Sequence, residues 1–90
     1  KDYGYKILDD LKRYVEKING WSETPNNYEG VRVNCDKLSG DGWFLLRISL
    51  HEPVLCLNIE SDSKDEIKII VNNLKIFLIQ YSELDISSFK

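Results

Sequence analysis

The residues with the greatest chemical reach lie in one short run, Arg47-Ile48-Ser49-Leu50-His51-Glu52-Pro53. A guanidinium, a hydroxyl, an imidazole and the N–H groups of a tight bend fall together there. Such donors suit a phosphate, which takes positive charge and several hydrogen bonds converging on one point, and a turn aims backbone N–H groups in that way. Arginine serves especially well, because its planar fork donates two parallel hydrogen bonds. Read from spacing alone, the same run also fits an ordinary hairpin with Arg47 in solvent and His51 at its tip. Both readings stand at this point.

Other polar groups carry less. Asp62, Asp65 and Glu66 sit where the positive end of a helix dipole favours acids, and they form no metal-ligand pattern. Asp9 and Asp10 on the first helix point partly to solvent and need no role. Trp21, Tyr28 and Trp43 offer stacking surfaces for a sugar or base, though hairpin packing is their commoner use. The Lys12-Arg13 pair is too small for a polyanion site. Cys35 and Cys56 lack both metal-ligand and CxxC spacing, and read as reduced thiols.

Composition narrows the classes further. Ninety residues make one domain with a single modest core. With 42% apolar and 30% charged residues the chain has the profile of a folded globular domain, not of a disordered segment. A net charge of −3 argues against nucleic acid as a partner. No apolar run approaches the roughly 18 residues of a membrane span. With no charged-then-apolar signal segment, the expected location is cytoplasmic.

The elements that must position the Arg47 run follow from periodicity. Ile7, Leu8, Leu11, Tyr14, Val15 and Ile18 recur at three- and four-residue intervals, which predicts a helix from about Tyr5 to Asn19, closed by Gly20. Trp21–Tyr28, with Pro25, Asn26 and Asn27, reads as a loop. Three alternating strands follow: Gly30–Cys35, Trp43–Ile48 and Val54–Glu60, with Ser39-Gly40-Asp41-Gly42 as the turn between the first two. One sheet face collects nine apolar residues, and the other holds Arg32 and Arg47. Ser63 followed by Glu66 is a capping-box pattern opening a second helix, whose stripe runs Ile67, Ile70, Val71, Leu74, Leu78, Tyr81. The segment from Ser82 onward loses that pattern. The expected fold is α+β, a small antiparallel sheet of three to four strands with two helices on one face. Ile69, Ile76, Phe77 and Ile79 exceed what the sheet needs, and predict a docking strip with at least two exposed side chains. That excess, with the abrupt opening Lys1-Asp2-Tyr3, favours a fragment of a longer chain.

Order and spacing also carry a resemblance. Gly42-Trp43-Phe44-Leu45-Leu46-Arg47-Ile48-Ser49, then Glu52-Pro53 and a strand ending Asn58-Ile59-Glu60, resembles the C-terminal (fourth) domain of the α-D-phosphohexomutases, the phosphoglucomutase and phosphomannomutase family. The pattern there is glycine-tryptophan, a strand, Arg-x-Ser-x-Thr-Glu-Pro, a strand, and an acidic residue before a final helix. Glu29-Gly30-Val31-Arg32-Val33 is similar to the stretch one hairpin earlier. The likeness spans roughly Glu29 to Tyr81, and the first third matches only as a helix.

The resemblance implies a TATA-box-binding-protein-like fold and a parent enzyme, an intramolecular phosphotransferase (isomerase) of carbohydrate metabolism. Such enzymes interconvert 1- and 6-phosphosugars. Their phosphoserine, Mg²⁺ ligands and sugar-recognition loop belong to three preceding domains, which would be this domain's neighbours. By resemblance Arg47 and Ser49 hold the non-reacting phosphate of a hexose phosphate, with Leu50 through its backbone N–H. His51 stands where the family has threonine and replaces its hydroxyl as donor through a ring nitrogen. Glu52 braces the loop. No catalytic and no metal-binding residue is expected here, so the chain alone should grip a phosphosugar without turning it over. The alternative is a non-enzymatic interaction module that docks a partner through its apolar second helix.

Overall fold

The computed structural model describes residues 2–25, 30–48 and 55–81. Helix α1 (Asp2–Val15) is followed by strands β1 (Trp21–Thr24) and β2 (Gly30–Cys35) and a short 3₁₀ turn (Lys37–Ser39). Strands β3 (Gly42–Ile48) and β4 (Leu55–Ser61) lead into helix α2 (Lys64–Leu78). The four strands form one antiparallel sheet in the order β1-β2-β3-β4. The chain is α+β, as its periodicity predicts.

Alternation sorts the side chains into two layers. Val31, Val33, Phe44 and Leu46 are fully buried in one core with Ile7, Leu11, Ile70, Leu74 and Leu78 of the helices. Leu55, Leu57 and Ile59 of β4 pack against the same cluster. Both helices therefore cover one sheet face, and neither covers the other, called here the open face. Burying a Leu, Ile or Phe side chain contributes about 1.5–3 kcal/mol before conformational entropy is subtracted, so this shared core holds the helices on the sheet.

Several local features differ from expectation, each for a physical reason. Helix α1 ends at Val15, and the chain continues in i→i+3 turns in which Lys17 N–H donates to Tyr14 and Ile18 N–H to Val15. These turns still bring Ile18 to the core edge. Gly20 takes the left-handed conformation (φ +92°), a few residues beyond the helix end. Trp21–Thr24 is a strand where the sequence reads as loop: Trp21 pairs with Cys35 and Thr24 with Arg32. Its strand character comes from β2 and from burial of the Trp21 ring against Phe44 and Tyr14, neither of which shows in local periodicity. Between β2 and β3, Asp36 accepts from the Leu38 N–H, and Gly40 is left-handed (φ +110°). A Cβ there would lie 2.8 Å from the Glu66 carbonyl, so only glycine lets this turn approach α2 so closely. Ser61 then donates to the carbonyls of Gly40 and Asp41, tying the end of β4 to the turn.

At the start of α2 the Ser63 hydroxyl accepts from the Glu66 N–H at 3.2 Å, the serine half of the expected capping box. Of the four residues assigned to the outer strip, Ile69, Ile76 and Ile79 are exposed, but Phe77 is buried. The Phe77 ring packs on Tyr14 and Tyr81, with centroids 4.9 and 5.4 Å away.

Asp10 also departs from its expected idleness. Its carboxylate accepts from Tyr81 Oη at 2.6 Å and from Lys6 and Arg13, joining α1 to the residues just past α2. The Tyr81 hydroxyl, with help from Lys6, holds the Asp10 carboxyl down at about 2, below the ordinary 3.8. Burial, and then Asp10 itself, push the Tyr81 hydroxyl up. A depressed carboxylate stabilises the fold fully above its ordinary value and loses that contribution as pH falls through the lowered one. Wild type is therefore expected to lose on the order of 1 kcal/mol from this group between about pH 4 and pH 2, a partly solvated pair being worth little more. Thermal melts of Asp10→Asn should lack that acid-limb decrement.

Candidate functional site

The open face of the sheet carries both strand arginines. Strand pairing places Thr24, Arg32, Leu45 and Asn58 in one row across it, and Ser22, Asn34, Trp43 and Glu60 in the next. A third row, toward the far end of β3, is Gly30, Arg47 and Cys56. Arg47 is thus the last residue of β3 to face this side before the connection to β4.

That row is built by close approach. Gly30 lies opposite Arg47, and a Cβ added to Gly30 would stand 2.6 Å from Arg47 Cβ and 2.8 Å from its Cα. Any larger residue at Gly30 would push the two strands apart at the point where Arg47 is held. Arg47 itself is half-buried. On the next strand pair, Ile48 is in register with Leu55, so β3 and β4 close on a six-residue connection, 49–54. The loop residues Ser49, Leu50, His51 and Glu52 lie outside the described residues, as does Tyr28. Of the four residues expected to hold phosphate, the structure therefore positions Arg47.

Arg32 is anchored differently. Its guanidinium carbon lies 4.2 Å from the centroid of the Trp43 ring, its diagonal neighbour across the strands. A cation so placed over an indole gains about 0.5–2 kcal/mol, more as water is excluded. Arg32 Nε is buried and has no acceptor among the described residues. Leu45 is buried on this same face although it lies outside the core cluster. The Arg32–Trp43 stack was accessible to sequence reasoning, because alternation already puts residues 32, 43 and 47 on one face. What sequence spacing lacked was the register that makes 32 and 43 neighbours.

The cysteines take separate faces, Cys35 opposite Gly42 on the core side and Cys56 opposite Arg47 on the open side, and both are free. Burial pushes the Cys35 thiol up to about 11, which keeps it protonated and unreactive. Among the described residues no cluster of His, Cys, Asp and Glu has the makings of a metal site, and no helix is long and apolar enough to cross a membrane. Asp65 and Glu66 lie in the first turn of α2, where the helix dipole accounts for them. No family model, no curated protein and no solved structure matches the chain.

Proposed function

We propose that this chain is the phosphate-holding C-terminal domain of a cytoplasmic phosphohexomutase. The observation that carries the reading is the placement of Arg47. It is the last open-face residue of β3, fixed against Gly30, directly before a connection that contains Ser49, Leu50 and His51. A fork of N–H donors on a strand paired on both sides, followed by a run of further donors, suits a tetrahedral dianion.

The role follows from chemistry. A phosphosugar that must present either end to a reacting centre needs a second grip that recognises phosphate and little of the sugar. Arg47 supplies charge and two parallel donors; Ser49 supplies a hydroxyl, Leu50 a backbone N–H and His51 a ring nitrogen. Holding the distant phosphate orients the sugar and spends binding energy on placing the reacting end. The phosphoryl transfer, and the Mg²⁺ that supports it, belong on this reading to the preceding domains of the parent enzyme. This chain's own part is to bind and orient.

A grip of this kind predicts its own specificity. Glucose 1-phosphate and glucose 6-phosphate should bind with affinities within a few-fold of each other, and glucose should not bind measurably. Titration calorimetry of the three ligands checks this. Equal binding of glucose would place recognition in the sugar and contradict the assignment.

A second reading draws on the exposure of Ile69, Ile76 and Ile79, at 41%, 64% and 64%. In it, the apolar side of α2 docks another protein, and Arg47 is an ordinary strand residue. The calorimetric result separates the two, because an interaction module has no reason to select phosphate.

A further inference from the structure

The two edges of the sheet differ in kind. Strand β1 has four residues and sets the charged Glu23, opposite Val33, on the core side. A short edge and an inward-facing charge both discourage a further strand. Strand β4 has neither device. Its seven residues, Leu55–Ser61, pair with β3 in unbroken register, and among the described residues no strand pairs with their other side. No lysine, arginine, proline or glycine interrupts them. Such an edge is a row of backbone donors and acceptors that fits another strand. The core is also open here. Val31, Val33, Phe44 and Leu46 of the inner strands are fully buried, whereas Leu55, Leu57 and Ile59 of β4, packed on the same core, are only half-buried.

We propose that β4 pairs with β4 of a second copy of this chain, antiparallel about a two-fold axis at Asn58, joining two sheets into one. The strand is self-complementary in that register. Asn58 is the midpoint of Leu55–Ser61, so all seven residues pair. An axis normal to the sheet keeps the helices of both copies on one side. On that side Leu57 faces Ile59 of the second copy, and Ile59 faces its Leu57. Aliphatic side chains left half-buried in each copy thus cover one another. On the open face Asn58 meets Asn58, and each amide offers the other a donor and an acceptor. Glu60 is the one charged residue on the strand, and it faces Cys56 of the second copy instead of its own counterpart. Arg47 is that cysteine's partner on β3, so charges of opposite sign share one row. A single strand pair falls short of the roughly 800 Å² per partner of a standard interface, which sets the association near 100 µM in order of magnitude.

The test uses the whole chain in solution, without phosphate. In sedimentation equilibrium the mean mass should rise from 10.5 kDa toward twice that value as the concentration passes about 100 µM. In a mixture of isotope-labelled and unlabelled chain, filtered NOEs should join the methyl groups of Leu57 to those of Ile59 in the other copy. Asn58→Lys sets like charges against each other at the axis and should weaken association about five- to tenfold, and Asn58→Glu should do the same. Mixing the two variants in equal amounts should restore it, which damage to the separate chains could not do. Asn58 is exposed, so both variants should melt as wild type does. Should either unfold, the filtered NOEs of the wild type decide alone. A chain that stays monomeric at about tenfold above that concentration would overturn the proposal. So would association undiminished in both variants, which would place the contact elsewhere, or NOEs that join β4 to another segment of its own copy. No outcome depends on phosphate, so this inference and the phosphate reading fail independently.

Discussion

Replacing Arg47 by alanine is expected to weaken phosphosugar binding ten- to a hundredfold while leaving the fold intact. The magnitude follows from the bond lost. A charge-assisted hydrogen bond is worth about 1.5–3 kcal/mol, and about 1.4 kcal/mol corresponds to a factor of ten. The fold should survive because Arg47 faces the open side of the sheet, away from the core of Phe44, Leu46 and the helices. Arg47→Lys keeps the charge but loses the fork, and should fall between wild type and alanine. Arg32→Ala should leave phosphate affinity within about twofold, since its guanidinium is committed to Trp43. Calorimetry with glucose 6-phosphate, alongside thermal melts of each variant, reads both effects. If Arg32→Ala and Arg47→Ala weakened binding equally, the site would be the general charge of the face and not the end of β3.

Phe77→Ala is expected to be the most damaging single change on α2, costing about 3–5 kcal/mol for a large core side chain. Phe77 is 2% exposed and touches both Tyr14 and Tyr81, so its removal opens a cavity where the two helices meet. A small domain has only about 5–15 kcal/mol in total, so the variant should be at or near unfolding. Its neighbour gives the contrast. Ile76 is 64% exposed, and Ile76→Ala should change stability by about 0.5 kcal/mol or less on the surface scale. Urea denaturation followed by far-UV circular dichroism distinguishes them. Similar midpoints for the two variants would mean that Phe77 is not part of the core.

These residues also show what the sequence carries and what it does not. Strict alternation at Val31, Val33 and Cys35 and at Phe44 and Leu46 identifies the core face of the sheet, because a strand's two-residue repeat is local. The stripe Ile70, Leu74, Leu78, Tyr81 does the same for α2. The sequence expectation of at least two exposed side chains among Ile69, Ile76, Phe77 and Ile79 is met by the three isoleucines, while that stripe gives no local sign that Phe77 is buried. A 3.6-residue turn nevertheless carries residue 77 round to the side of residue 70, and the fold buries both. Strand β1 does not show in the sequence, because four residues before Pro25 have too little pattern of their own, and Trp21 pairs with Cys35, fourteen positions later. The role of Asp10 is invisible to local pattern, because its decisive partner, Tyr81, lies 71 residues away. Conversely, Arg47 stood out by residue type, and its placement beside Gly30 gives that glycine a steric reason. The remaining phosphate residues, Ser49, Leu50 and His51, rest on the sequence resemblance alone.

The most direct measurement is a titration of the isotope-labelled chain with inorganic phosphate, and then with glucose 6-phosphate, followed through backbone amide shifts. The account predicts saturable changes confined to the amides of Arg47 through His51 and their pairing partners Gly30 and Cys56. Those changes should be lost in Arg47→Ala, while Trp21, Asn73 and Ile76 remain still. Shifts scattered over the lysines of the two helices, or none up to tens of millimolar ligand, would contradict the assignment of this chain as a phosphate-holding domain.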